Sequence, residues 1–322
     1  MFPYEIDLSW VIAFQSMGDW LVVPMRFFSF LGTEEFYILV MPILYWCIDA
    51  SLGIRVGTIM LLSSGLNFIF KIPFTGPRPY WMSTAVKPLW AEVYFGIPSG
   101  HAQNSVAVWG SMAAYLRRAW VWVIAVFLMV MVGLSRVYLG AHFFIDMFAG
   151  WLVGALLLWL FLRYWDPVVA RAQNWSLGRQ IGYALLVTLG MVTLGWAAVL
   201  ATRNFVLPGD WIINASRIGD EGIAPFTLSG IITSAGTLFG FLVGVALIAP
   251  QGGWQVSGPV WKRVARYIVG LLGVIVIWYG LGSVFPRGES LVPLLFRYVR
   301  YTLLGLWVAA GAPLIFTKLK FS

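Results

Sequence analysis

The chain has 322 residues, of which 60% are hydrophobic and only 11% charged, with 18 Trp, 23 Phe and a mean hydropathy of +0.84. Soluble domains carry roughly 45–50% apolar residues, so the composition excludes a soluble globular protein and implies a polytopic membrane protein with length for on the order of ten spans. The net charge of +8 does not point to nucleic acid, because the basic residues scatter at segment ends instead of clustering with aromatics.

The single cysteine, Cys47, lies inside an apolar run, so neither an intrachain disulfide nor a cysteine metal site is available. Met1 to Asp7 is acidic and lacks a basic n-region, so no cleavable signal is expected there. From Leu8 to Leu31 the apolar pattern is interrupted by Gln15, Ser16, Gly18, Asp19 and Arg26. That pattern predicts an amphipathic helix lying at the interface, and residues 1–32 are assigned to it.

Spans are then predicted at Phe36–Ile48, Leu52–Phe70, His101–Leu116 and Val121–Leu134, with a fifth ending near Leu162. Residues 33–164 form this part. Between the second and third spans lies a polar and aromatic excursion, Lys71 to Gly100. Residues 165–322 add apolar runs at Ile181–Ala201, Ile223–Ile248, Tyr267–Phe285 and Tyr301–Phe316, about nine spans in all. Gly236, Gly240 and Gly244 mark a small-residue face for close helix packing.

Charge supplies an orientation, since Lys and Arg favour short cytoplasmic loops. One side collects Arg55, Arg117, Arg118, Arg163, Arg171, Arg179, Lys262, Arg263, Arg266, Lys318 and Lys320. The other carries Glu5, Asp7, Glu34, Glu35, Asp210, Asp220, Glu221 and Glu289, mixed with Arg203, Arg217 and Arg287. The polar clusters described next fall on that second, non-cytoplasmic side.

Ionisable groups near membrane depth are costly and usually face a cavity or a partner. Lys71, Arg78, His101, Arg136, His142 and Asp146 therefore need a shared reason to be there, and a bound phosphate supplies one. Arginine offers planar bidentate donors to phosphate oxygens and lysine a point charge. Ser99 and Gly100 precede a span, so their N–H groups would lie at a helix N-terminus where an anion is favoured, and Gly100 allows close backbone approach. The chain has two histidines. His142 and Asp146 are four apart, so on a helix they share a face; a carboxylate on one imidazole nitrogen fixes the tautomer and frees the other for attack. His142 is thus the candidate nucleophile, Asp146 its orienter and His101 the general acid. Each of these residues alone has a plain structural reading, as an interhelical hydrogen-bonding histidine or a snorkelling cation. Their coincidence on one side favours chemistry.

Lys71-x6-Arg78-Pro79, Pro98-Ser99-Gly100-His101 and Ser135-Arg136-x5-His142-x3-Asp146 resemble the three-part signature of the type 2 phosphatidic acid phosphatase superfamily. The resemblance implies an all-α membrane protein with a six-helix core of that kind, followed here by about four extra C-terminal spans. It implies a phosphohistidine on His142, acid catalysis by His101, an orienting Asp146, and phosphate binding by Lys71, Arg78, Ser99, Gly100 and Arg136, with no metal and no cofactor. The stretch Leu66–Lys71 with Arg78-Pro79-Tyr80-Trp81 is similar to glucose-6-phosphatase, whereas Ala102-Gln103-Asn104 departs from it.

The expected activity is hydrolysis of a phosphomonoester or pyrophosphate, most simply a lipid phosphate, at the outer face of a bacterial cell membrane. Partners are then the phosphorylated lipid or sugar substrate and the membrane lipids, with no nucleic acid. The alternatives are a sugar-phosphate hydrolase, for which Tyr80, Trp81 and Trp90 either stack on a sugar or belong to the interfacial aromatic belt, and a transferase to a lipid or glycan acceptor. A transporter built on a degenerate core would have lost a motif residue, and none is missing.

Overall fold

The computed structural model describes residues 2–218 and 222–321. Met1, Asp220 and Glu221, which enter the sequence reading, lie outside the described residues. The described chain is all-helical. It begins with α1 (Phe2–Gln15), a 3-10 turn at Asp19–Leu21 and α2 (Val22–Phe30). The single helix expected over Leu8–Leu31 is therefore two, broken at Gly18, whose φ of +115° lies in the region open to glycine. Next come α3 (Glu34–Ile43), which continues through a π-helical turn at Leu44–Ile48, and α4 (Ala50–Phe74), followed by the one-turn α5 (Pro79–Met82). Thr33 caps α3 through Phe36 N–H, and Asp49 caps α4 through Leu52 N–H.

The chain continues with α6 (Gly100–Leu116), α7 (Ala119–Tyr138), α8 (Phe144–Ala172), α9 (Leu177–Ala201) and the short α10 (Gly209–Ala215). Last are α11 (Ser229–Ile248), α12 (Val260–Ile275) leading through a π turn into α13 (Leu281–Val284), and α14 (Leu291–Leu306) leading through another into α15 (Ala312–Lys318). Among the described residues seven helices are long and apolar enough to cross a membrane, and an eighth span is possible if Asp19–Phe30 and Glu34–Ile48, bent by 50°, count as one. The remaining expected span is α6, which at 17 residues is shorter than these. Three C-terminal helices start later or earlier than the apolar runs implied: α11 begins at Ser229, while α12 and α14 begin at Val260 and Leu291. The last two take Lys262, Arg263, Arg266, Arg297 and Arg300 into helix; the first three lie in the first two turns of α12, where long basic side chains are tolerated.

The chain packs as two compact units. One comprises the segments up to Phe36, Leu66–Leu160 and Gly195–Thr227. Its core is built from Val11, Trp81, Phe95, Ala102, Val137, Phe143, Met147 and Ala215, packed by Phe205, Trp211 and Phe226. Within it, α8 approaches α6 closely at Gly150 and Gly154, where an added Cβ would meet Ser99 O at 2.5 Å and Gln103 O at 2.7 Å.

The other comprises Tyr37–Gly65, Phe161–Leu194 and the chain from Leu228 onward. Here the glycine face of α11 packs on α14 and the π turn after it: a Cβ at Gly236 would meet Tyr298 O at 2.7 Å, one at Gly240 would meet Thr302 O, and one at Gly244 would meet Ala309 Cβ at 2.6 Å. Cys47 is buried there, its thiol donating to Arg263 O at 3.2 Å.

Candidate active site

Every candidate site residue lies in the first unit, and the elements that carry them converge. Lys71 is in the last turn of α4, Arg78 just before α5, Ser99 and His101 at the start of α6, Arg136 in the last turn of α7, and Asp146 in the first turn of α8. All are buried except Gly100 and His101, which are half-buried.

Lys71 and Arg78 are held by backbone carbonyls of the loop before α6, and Arg136 by side chains. Lys71 Nζ donates to Phe95 O (2.7 Å) and Gly96 O (3.2 Å), so it does not snorkel. Arg78 donates from Nε to Tyr94 O (2.6 Å), from Nη2 to Phe95 O (3.0 Å) and from Nη1 to Ala141 O (2.7 Å). Arg136 donates from Nη1 to Ser29 Oγ (2.7 Å) and from Nη2 to Glu92 Oε1 (2.5 Å), with the Trp90 ring 5.1 Å from its guanidinium. Its Nε is buried without a partner, as is His101 Nε2. A buried polar nitrogen left unsatisfied costs on the order of 1–3 kcal/mol.

His142 is outside α8, in the turn between α7 and α8, so its pairing with Asp146 is not made along a helix face. Gly140 turns the chain there at φ +73°, and Asp146 reaches back, accepting at Oδ2 from Phe143 N–H (3.0 Å) and from His142 Nδ1 (3.3 Å). Arg78 Nη1 lies 3.2 Å from His142 Nε2. Since guanidinium only donates, Nε2 is the acceptor and the proton sits on Nδ1, facing Asp146. Burial pushes the imidazole pKa down, and Arg78 and Lys71 push it further, so the ring is neutral with the Nε2 lone pair toward Arg78.

Ser99 is the N-cap of α6; its hydroxyl accepts from Ala102 N–H at a long 3.5 Å and its own N–H donates to Asp146 O at 2.9 Å. The first N–H groups of α6 proper, at Gly100 and His101, have no intrahelical acceptor. Gly100 also makes room for Asn67, whose Oδ1 would sit 2.8 Å from an added Cβ. Asn67 Nδ2 in turn donates to Pro98 O and Gln103 Oε1.

Tyr80 and Trp81 are 1% and 0% exposed, which removes both roles considered for them, sugar platform and interfacial belt. The Tyr80 hydroxyl donates to Glu92 O and accepts from Glu92 N–H, both at 3.0 Å.

Sequence reasoning missed several residues of this site. Glu92 bridges the arginines, with Oε1 on Arg136 and Oε2 4.0 Å from Arg78 Nη2. Burial alone would raise its pKa, but Arg78 and Arg136 outweigh burial and hold the carboxyl at about 2. Asp7, counted above as a loop charge, is buried and accepts from Phe144 N–H (3.1 Å) and Ile145 N–H (2.9 Å), capping α8 from outside the helix. The segment after α9 braces the same loop: Ala224 N–H donates to Val93 O (3.0 Å), Phe226 and Phe205 pack on Phe95 at 5.2 and 6.0 Å, Asn214 Nδ2 donates to Trp81 O, and Arg217 donates to Tyr80 O and Ser83 O. Glu92 sits two residues after Trp90 in an otherwise apolar stretch, a lone acid that could have been flagged as a partner for the arginines. Nothing in the sequence ties residues 205–217 and 224–226 to this loop.

The PAP2 superfamily model matches residues 52–169, and the model of the PAP2 superfamily phosphatase transmembrane extension matches residues 232–322. Glucose-6-phosphatase 3 of Bos taurus is 30% identical over 341 residues, covering 94% of this chain and 91% of its own. Sphingosine-1-phosphate phosphatase 1 of Rattus norvegicus is 25% identical over 321 residues, covering 91% and 71%. The crystal structure of a PAP2-type phosphatidylglycerolphosphate phosphatase from Bacillus subtilis is 27% identical, covers 50% of this chain and 86% of that one, and has a TM-score of 0.43. With full-length similarity to a phosphatase and the three motifs gathered in one unit, the chain belongs to the PAP2 superfamily of membrane phosphatases.

Proposed function

We propose that the protein hydrolyses a phosphomonoester through a phosphohistidine on His142, at the non-cytoplasmic face of the membrane. The observation that carries this reading is Arg78 Nη1 lying 3.2 Å from His142 Nε2, in a unit where Arg136 Nε and His101 Nε2 are buried without hydrogen-bond partners. Lys71, Arg78, Arg136 and the α6 N-terminus hold the non-bridging oxygens, where their charge stabilises the transferring group. Nε2 attacks phosphorus while Asp146 holds the Nδ1 proton, and the P–O ester bond breaks as His101 protonates the departing alcohol oxygen. Water, deprotonated by His101, then attacks the phosphohistidine; the P–N bond breaks and inorganic phosphate leaves.

The lipid-phosphate reading made from the motifs has a rival in a sugar phosphate. That alternative is favoured by similarity to glucose-6-phosphatase 3 along 94% of the chain, whereas similarity to a sphingosine-1-phosphate phosphatase supports the lipid. The charge asymmetry of the loops supports the outward-facing site and a bacterial cell membrane fits the same asymmetry. Phosphate release by the wild type and its loss in His142→Ala test the chemistry; comparing lipid and sugar phosphates separates the substrates.

A further inference from the structure

The mechanism above gives no part to Glu92, the carboxylate that faces two of the proposed phosphate ligands. Asp146 is committed to His142 and to Phe143 N–H, but Glu92 touches neither histidine through a hydrogen bond. Its backbone is clamped on both polar atoms by the Tyr80 hydroxyl, and the next residue, Val93, is tied to Ala224. Its side chain remains 22% exposed. From that fixed base its two oxygens face the two arginines assigned to phosphate, Oε1 at 2.5 Å from Arg136 Nη2 and Oε2 at 4.0 Å from Arg78 Nη2. A carboxylate presents its oxygens to a guanidinium much as a phosphoryl group does.

Given that Arg78 and Arg136 bind the phosphoryl group, we propose that Glu92 is the internal counter-anion of the phosphate site. Its carboxylate holds the arginine ends that a phosphate takes, so a phosphate enters in exchange for Glu92 and leaves as Glu92 returns. Two consequences follow from the charges. Product phosphate is held less tightly than three cations would hold it, which hastens release. A dianionic monoester also gains on exchange for a single carboxylate charge, whereas a monoanionic ligand gains little, so Glu92 biases the site toward monoesters.

The sign of one affinity change distinguishes this role from simple positioning of the arginines. Inorganic phosphate is titrated calorimetrically into the detergent-purified full chain, wild type and Glu92→Gln, with thermal unfolding recorded on both. A counter-anion removed from within about 5 Å of the ligand should tighten phosphate binding on the order of tenfold, and kcat should fall if product release limits turnover. Unchanged or weaker binding in Glu92→Gln would overturn the proposal, since an arginine-positioning residue loses affinity when neutralised. Should Glu92→Gln not fold, Glu92→Asp decides: pulled back from both arginines, it should bind phosphate more tightly than the wild type, and equal or weaker binding overturns the proposal. No phosphate binding by the wild type would overturn the phosphate site itself, and the counter-anion with it.

Discussion

Gly96 lies where the loop holding the cations crosses the pair that orients the nucleophile. A Cβ at this position would stand 2.6 Å from Pro77 O and 2.8 Å from Asp146 Oδ2, whereas ordinary contact begins at 3.4 Å. The shortfalls are 3.4 less 2.6 and 3.4 less 2.8, about 0.8 and 0.6 Å. Pro77 O is backbone and cannot swing aside, so in Gly96→Ala either Asp146 retreats or the loop does. If Asp146 retreats, its 3.3 Å contact with His142 Nδ1 opens to about 3.9 Å, beyond hydrogen-bond range. If the loop retreats, Gly96 O moves off Lys71 Nζ. Overpacking of this kind costs about 1–3 kcal/mol of stability, and misplacement of a catalytic group by nearly 1 Å costs about 100-fold in rate. The assay is kcat on p-nitrophenyl phosphate in one detergent, with thermal unfolding alongside. Gly182→Ala is the control, because nothing lies within 4 Å of its Cβ in the interior of α9; it should leave kcat unchanged and add up to about 1 kcal/mol of helix stability. A Gly96→Ala variant that folds and turns over within twofold of the wild type would refute the reasoning.

Asp7→Ala leaves Phe144 and Ile145 N–H without their carboxylate; it should cost about 1–2 kcal/mol in thermal unfolding, the range for a lost helix cap, and lower kcat more than it raises KM, with partial rescue in Asp7→Asn. Phe226→Ala removes a ring from Phe95, whose carbonyl seats Lys71 and Arg78; activity should fall about tenfold or more, and truncation after Tyr164 should abolish it in a phosphate-release assay, whereas an active fragment would show the brace dispensable. The lowered pKa of His142 means that its protonated form is lost as pH rises through a value below 6.5, so the ring is neutral at and above pH 6.5. Histidine-selective 15N NMR should show Nδ1–H neutral imidazole at pH 6.5, and an imidazolium signal there would contradict the assignment.

The membrane class, the helices and the clustering of the candidate residues in one unit were legible because they rest on composition and on charges standing out in apolar sequence. His142 and Asp146 were paired for a partly wrong reason: four residues apart suggests a helix face, but the structure makes the contact across the turn that Gly140 opens. Asp7 was misread because an acid near the N-terminus looks like a solvated loop charge, and only tertiary structure carries it to the N-terminus of α8. The brace from residues 205–217 and 224–226 depends on contacts more than 100 residues apart, such as Asn214 with Trp81, for which periodicity and spacing carry no signal. Tyr80 and Trp81 read as a sugar platform or as part of the interfacial aromatic belt, yet burial of their rings and the Tyr80 clamp on Glu92 make them part of the core.

The central claim is phosphate transfer through His142, and the direct test is phosphate release by the purified protein from phosphatidate, phosphatidylglycerol phosphate, undecaprenyl pyrophosphate, sphingosine 1-phosphate and glucose 6-phosphate, with His142→Ala run in parallel and the acid-labile phosphoenzyme trapped from 32P-labelled substrate. The account predicts release from at least one substrate by the wild type, with label on histidine, and neither release nor label in His142→Ala. Substantial turnover by His142→Ala, or wild-type turnover with no phosphohistidine trapped at any time point, would contradict it.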